Sequence, residues 1–148
     1  MYNSVTIKSK IKNFNKTIEL SSDKSLSIRW ALLASIALGK SRAFNLLNSD
    51  DVKSTLKVLK KLGVEINQDK KCCEIIGRGL NGFEFKKNLT LNTGNSGTLA
   101  RLILGLLIRS PYKIKIIGDK SLSRRDFKRV IDPLNKFGVN FYPKNKTK

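Results

Sequence analysis

The chain of 148 residues contains no histidine. That absence removes the commonest general base and the commonest metal ligand, and with them His-based triads and zinc sites. Cysteine is nearly absent too. Cys72 and Cys73 are adjacent, which excludes an ordinary disulfide between them and predicts reduced thiols on a strand. No apolar run reaches the roughly 18 residues of a membrane span. The longest candidate, Leu99 to Ile108, is short and holds Arg101. The N-terminus is polar and dotted with lysine, without the apolar segment of a signal peptide. Acid is scarce: 11 Asp+Glu face 30 Lys+Arg, for a net charge of +19.

What remains is enough for a folded protein. Hydrophobic residues make up 40% and aromatic residues 7%, so a packed core is expected despite the charge. The length suits one domain or an incomplete part of something larger. The charge points to anionic partners, either nucleic acid through counterion release or phosphorylated small molecules. The basic residues are spread along the whole chain. Their densest stretch, Ser123 to Arg129, is short and interrupted by Asp126, which makes nucleic acid the weaker reading.

Along the chain, Val5–Ile11 and Thr17–Leu20 read as strands around a turn at Asn13–Asn15. Ser25–Leu38 reads as a helix stopped by Gly39, followed by a short strand at Ala43–Leu47. Ser49-Asp50-Asp51 offers a cap and two acids for the start of a second helix. That helix carries Val52, Leu56, Leu59 and Leu62 on one face and stops at Gly63. Strands at Val64–Ile66 and Cys72–Ile76 follow. The pattern then restarts: strand Leu89–Leu91, helix Ser96–Ile108, strand Lys113–Ile117, helix Arg125–Phe137 with Pro133 inside, and strand Val139–Tyr142. Leu59-Lys60-Lys61-Leu62-Gly63-Val64 aligns with Leu134-Asn135-Lys136-Phe137-Gly138-Val139, residue 59 onto residue 134, a spacing of 75. Arg29 aligns with Arg101 at a spacing of 72. Two copies of one α/β unit are predicted, at about 21–80 and 88–148, the second lacking its last strand as in a truncated chain.

The first helix of each copy is apolar nearly all round, which predicts burial, yet each carries one arginine. A buried guanidinium calls for an anionic partner. Bound anions are one source; the internal acids Asp50, Asp51 and Asp119 are the other. Lys24, Ser25 and Arg29 at a helix N-terminus would form a compact phosphate grip, Ser25 and Arg29 sharing a face at a spacing of four. Gly94 and Gly97 would let backbone approach an anion. Arg125 reads as heading its helix, where a cation opposes the dipole; a ligand or simple solvation would account for it. Asp50 and Asp51 read as helix N-terminal charges.

These residues carry a resemblance. Lys24-Ser25-Leu26-Ser27-Ile28-Arg29-Trp30-Ala31-Leu32-Leu33 resembles the N-terminal lysine motif of the 5-enolpyruvylshikimate-3-phosphate (EPSP) synthases. Leu46-Leu47-Asn48-Ser49-Asp50-Asp51 is similar to that family's next block. Gly94-Asn95-Ser96-Gly97-Thr98 with Arg101 is similar to its glycine motif, and Gly118-Asp119-Lys120-Ser121-Leu122 with Arg125 to its third. Four blocks stand in the family's order over nearly the whole chain, matching about the first third of a complete member. The chain departs from the pattern in two places. Ser21-Ser22-Asp23 stands where the family usually has Pro-Gly-Ser, and Asp126 where it often has proline.

The resemblance implies a fold and an activity. The fold is α/β, an inside-out barrel of repeated βαβαββ-type units with buried helices. Residues 1–20 would be a strand pair belonging to the other lobe, and 21–148 a partial domain. The activity is transfer of the enolpyruvyl group of phosphoenolpyruvate to the 5-hydroxyl of shikimate 3-phosphate, in the cytoplasm and without a cofactor. Lys24, Ser25 and Arg29 would bind shikimate 3-phosphate. Lys24, Asn95, Gly97 and Arg125 would bind phosphoenolpyruvate, supported by Thr98 and Arg101. The groups that complete catalysis would lie beyond Lys148. The remainder of the enzyme, if separately supplied, would be a partner, and the isolated chain is expected to be inactive. The UDP-N-acetylglucosamine enolpyruvyl transferases share the fold but usually have Asn after the lysine, so Ser25 favours the shikimate branch. A basic nucleic-acid-binding α/β module is the non-enzymatic alternative.

Overall fold

A computed structural model describes residues 17–142 together with Thr6, Lys8, Lys10, Asn13 and Asn15. Helix α1 spans Lys24–Ile36, strand β1 Leu38–Phe44, helix α2 Asp50–Lys61, and strands β2 and β3 Glu65–Gln68 and Cys72–Arg78. Strand β4 follows at Thr90–Asn92, helix α3 at Gly97–Leu107 and strand β5 at Lys115–Ile117. A single 3-10 turn at Leu122–Arg124 leads into helix α4, Lys128–Lys136. The chain is a mixed α/β structure. No closed barrel forms among the described residues. None of their helices is long and apolar enough to cross a membrane.

The first unit is an antiparallel sheet of order β1-β3-β2 carrying α1 and α2. Glu74 on β3 faces Arg42 and pairs with both Lys40 and Arg42 at 2.9 Å. Those two cations hold its carboxyl below the usual glutamate range. Helix α2 forms as its sequence dictates. Ser49 Oγ accepts from the Val52 amide, acids fill the first turn and lysines the last, and Val52, Leu56 and Leu59 are buried. In the second unit β4 and β5 pair in parallel. Leu91, Leu99 and Ile103 then join Ile28, Leu59, Leu62 and Ile75 in one core.

The ends of α2 and α4 share one geometry. At the end of α2, Gly63 has φ +82°; its amide donates to the Lys60 carbonyl and the Val64 amide to the Leu59 carbonyl. At the end of α4, Gly138 has φ +85°, with Gly138 donating to Asn135 and Val139 to Leu134. Both are left-handed glycine caps with the same pair of closing bonds, 75 residues apart.

Several elements differ from the sequence reading. Helix α1 ends at Ile36, and Gly39 lies inside β1 opposite Gly77 rather than stopping the helix. The cause is tertiary. A Cβ on Gly77 would stand 2.2 Å from the Ala37 carbonyl oxygen, so β3 runs hard against the helix end and turns the chain into β1. The strand expected at Ala43–Leu47 therefore starts five residues earlier and ends at Phe44. Thr17–Leu20 is not a strand: it is exposed, and Leu20 is fixed by the Asn45 side chain donating to its carbonyl. Most of Val5–Ile11 lies outside the described residues. Val139–Tyr142 is also not a strand, having no ladder partner among the described residues.

Candidate active site

At the start of α1, Asp23 caps the helix, its carboxylate accepting from the Leu26 amide at 2.7 Å. The acid that departs from the family pattern therefore does the work a serine would do there. Ser27, one turn in, donates its hydroxyl to the Asp23 carbonyl and accepts from the Leu47 amide, tying the helix start to the strand-to-α2 link. Lys24 is the first helical residue and Ser25, half-buried, the second. The expectation that α1 is buried all round, with Arg29 inside, is corrected. Leu26 and Leu33 are 68% and 64% exposed, and Arg29 is exposed, its Nη1 donating to the Ser25 carbonyl at 3.2 Å. Packing against α2, β3 and α3 covers the side of the helix carrying Ser27, Ile28, Ala31, Leu32, Ala34 and Ser35 and leaves Leu26, Arg29 and Leu33 outside.

Lys24 does not turn to Ser25 or Arg29. Its Nζ lies 3.2 Å from Asp51 Oδ2 on the first turn of α2. Three residues further along α2, Ser54 Oγ stands 3.0 Å from where a Cβ on Gly94 would be. Residues three apart share a helix face, so one face of α2 carries both the lysine of the first motif and the glycine loop of the second. Sequence reasoning read Asp50 and Asp51 as helix charges and passed over Ser54. The i,i+3 spacing of Asp51 and Ser54 was the available signal.

The second cluster is assembled by the β4–β5 ladder. Beyond it the Thr93 amide donates to the Ile117 carbonyl and the Asp119 amide to the Gly94 carbonyl, setting the glycine loop beside the Gly118–Arg125 segment. Asp119 is spent on structure: its carboxylate accepts from the Leu122 amide at 2.7 Å and starts the 3-10 turn. That turn delivers Arg125 to Asn95, Nη2 donating to Oδ1 at 3.0 Å. Arg125 does not head a helix as expected. It follows the 3-10 turn in extended conformation, and α4 opens only at Lys128, whose amide donates to the Asp126 carboxylate.

Arg101, on the second turn of α3, donates to the Gly97 carbonyl at 3.3 Å and to the Asp126 carbonyl at 2.8 Å. Its guanidinium lies 4.9 Å from the centre of the Phe127 ring. Its partners are thus carbonyls and an aromatic face, neither the internal acid nor a fully buried pocket foreseen for it. The i to i−4 wrap onto the helix start is the same one Arg29 makes. Between the guanidiniums lies Gly97, buried on the first turn of α3. A Cβ there would stand 2.8 Å from Arg101 Nη1 and 2.9 Å from Arg125 Nη1. Thr98 follows it, half-buried. Asn95, Gly97, Arg101 and Arg125 are therefore brought together, with an open groove along Asp119, Lys120, Ser121, Arg124 and Arg125 beside them. Among the described residues no hydrogen bond or ion pair joins them to Lys24, Ser25 or Arg29.

Two helix starts, each capped by a side chain and wrapped by an arginine, stand on one core and define the class: a mixed α/β protein with two basic helix N-termini. Comparison with known proteins makes this specific. The family model for EPSP synthase (3-phosphoshikimate 1-carboxyvinyltransferase) matches residues 8–148. The chain belongs to the EPSP synthase family. It is 43% identical over 123 residues to 3-phosphoshikimate 1-carboxyvinyltransferases of Streptococcus pyogenes, among them those of serotype M1 and of serotype M49 strain NZ131. That match covers 83% of this chain and 28% and 29%, respectively, of the two relatives. A solved EPSP synthase from Acinetobacter baumannii superposes with a TM-score of 0.79 at 30% identity, over 88% of this chain and 30% of that one. The chain thus spans less than a third of the length of the relatives it matches.

Proposed function

We propose that this chain supplies the shikimate 3-phosphate grip and part of the phosphoenolpyruvate pocket of a 3-phosphoshikimate 1-carboxyvinyltransferase. The reaction moves the enolpyruvyl group of phosphoenolpyruvate onto the 5-hydroxyl of shikimate 3-phosphate and releases phosphate. Lys24, Ser25 and Arg29 bind the phosphorylated shikimate. Lys24, Asn95, Gly97 and Arg125 receive phosphoenolpyruvate, with Thr98 and Arg101 behind them. The observation that carries this reading is Gly97. Two guanidiniums converge on a bare α-carbon at a helix N-terminus, and one of them, Arg125, also lines the open groove beside it, so positive charge and a helix start coincide at the edge of a space open to an anion. The family's inside-out barrel and a cytoplasmic setting belong to the same proposal, as does assignment of residues 1–20 to the other lobe.

The residues described here bind and neutralise phosphates. Enolpyruvyl transfer also needs an acid and a base at the reacting carbon and hydroxyl. Lys24 and the Asp51 carboxylate paired with it are proton-carrying groups beside the proposed phosphate grip, and the family resemblance assigns the rest of the chemistry to groups outside the chain. Titration calorimetry of the chain against shikimate 3-phosphate and against duplex DNA tests the reading. Shikimate 3-phosphate binding that is lost in Arg29→Ala and Lys24→Ala supports it. Binding of DNA alone, with a steep salt dependence, overturns it in favour of a nucleic-acid module.

A further inference from the structure

We propose that Asp51 is the resident counter-anion of Lys24, a positioning residue that holds the ammonium across the α1–α2 junction and is replaced by phosphate when ligand arrives. This rests on the reading of Lys24 as a phosphate ligand. A lysine as first residue of α1 faces the positive end of the helix dipole, so nothing in α1 itself favours its charge there. With 30 basic residues sharing 11 acids, pairing is the exception. Yet Lys24 Nζ lies 3.2 Å from Asp51 Oδ2, the carboxylate only 21% exposed and the lysine side chain 54% exposed. The acid is anchored on the first turn of α2 while the lysine keeps an open side. The other carboxylate near the helix start, Asp23, is bound to the Leu26 amide as the helix cap. Among the described residues Asp51 is the carboxylate paired with Lys24, and so the one placed to trade its cation to an incoming anion.

A carboxylate within ion-pair distance of the binding ammonium opposes a phosphate dianion and pre-orients the lysine at once. Asn at this position keeps an oxygen acceptor and removes the charge, which separates the two effects. In the full 148-residue chain, Asp51→Asn is expected to bind shikimate 3-phosphate about three- to tenfold more tightly at low salt, with the gain shrinking as salt rises. Asp23→Asn, which keeps the cap and removes the same charge, is expected to change affinity by much less. Unchanged or weaker binding in Asp51→Asn, or an equal gain in Asp23→Asn, would overturn the proposal.

A second readout does not depend on ligand. Mass spectrometry after limited acetylation is expected to show Lys24 labelled several-fold faster in Asp51→Asn than in the parent, relative to the other lysines, because the paired ammonium is shielded. Equal labelling also overturns the pairing. If Lys24→Ala binds shikimate 3-phosphate as the parent does, the site reading fails instead, while the labelling result still decides whether Asp51 holds Lys24.

Discussion

A methyl group added at Gly97 would stand within 2.9 Å of both Arg101 Nη1 and Arg125 Nη1. Both guanidiniums are the far ends of flexible side chains, so Gly97→Ala is expected to fold but to displace them from the carbonyls and the Asn95 side chain that hold them. In a complete enzyme made by joining this chain to the rest of a Streptococcus pyogenes relative, the variant should raise KM for phosphoenolpyruvate more than for shikimate 3-phosphate. Steady-state kinetics with each substrate varied in turn checks this, and equal effects would restrict Gly97 to helix packing. Arg29 offers the complementary case. It is exposed and held by one carbonyl, so Arg29→Ala should leave the melting temperature nearly unchanged. The same variant should weaken shikimate 3-phosphate binding about tenfold or more, as expected for a lost charge-assisted hydrogen bond. The adjacent cysteines divide by burial: Cys72 is half-buried, while Cys73 is buried and its thiol is pushed up chiefly by that burial. Iodoacetamide should therefore label Cys72 in the folded chain and both thiols only in denaturant.

Among the elements, the twin glycine caps of α2 and α4 share a geometry and differ in surroundings. A Cβ on Gly63 would meet the Glu84 carbonyl oxygen at 2.8 Å, whereas one on Gly138 would meet nothing within 4 Å. Gly138→Ala should cost about 1 kcal/mol from left-handed backbone alone, and Gly63→Ala distinctly more. Urea denaturation of the two variants measures the difference. The sheet offers a pH test. Glu74 is held below its ordinary value near 4.5 by Lys40 and Arg42, so its contribution to stability is present above that value and is lost as pH falls through the lower, folded value. The melting temperature of Glu74→Gln should therefore approach that of the parent as the pH is lowered below about 4.5, most of all at low salt.

For the whole molecule, the chain spans less than a third of its relatives' length, and under the proposed function its cations neutralise phosphates while the acid–base chemistry is completed elsewhere. Purified alone with both substrates it should release no phosphate above background, while the joined enzyme should; turnover by the isolated chain would overturn the division of labour. Much of this was legible in residue order. The capped α2, the two C-terminal glycine caps 75 residues apart and the four motif blocks depend on neighbours a few positions apart, and local propensity and caps decide such features. What the sequence left open depends on which surfaces meet. The end of α1 was set by Gly77 pressing on Ala37, and the exposure of Arg29 by the single face of α1 that packing covers. Arg125 was aimed by Asp119 and Asn95, and Lys24 was turned to Asp51, by a parallel ladder and a helix pair joining residues 24 to 30 positions apart. Composition and spacing singled out Lys24, Arg29, Arg101 and Arg125; only tertiary contact, which has no period along the chain, decided what each of them holds.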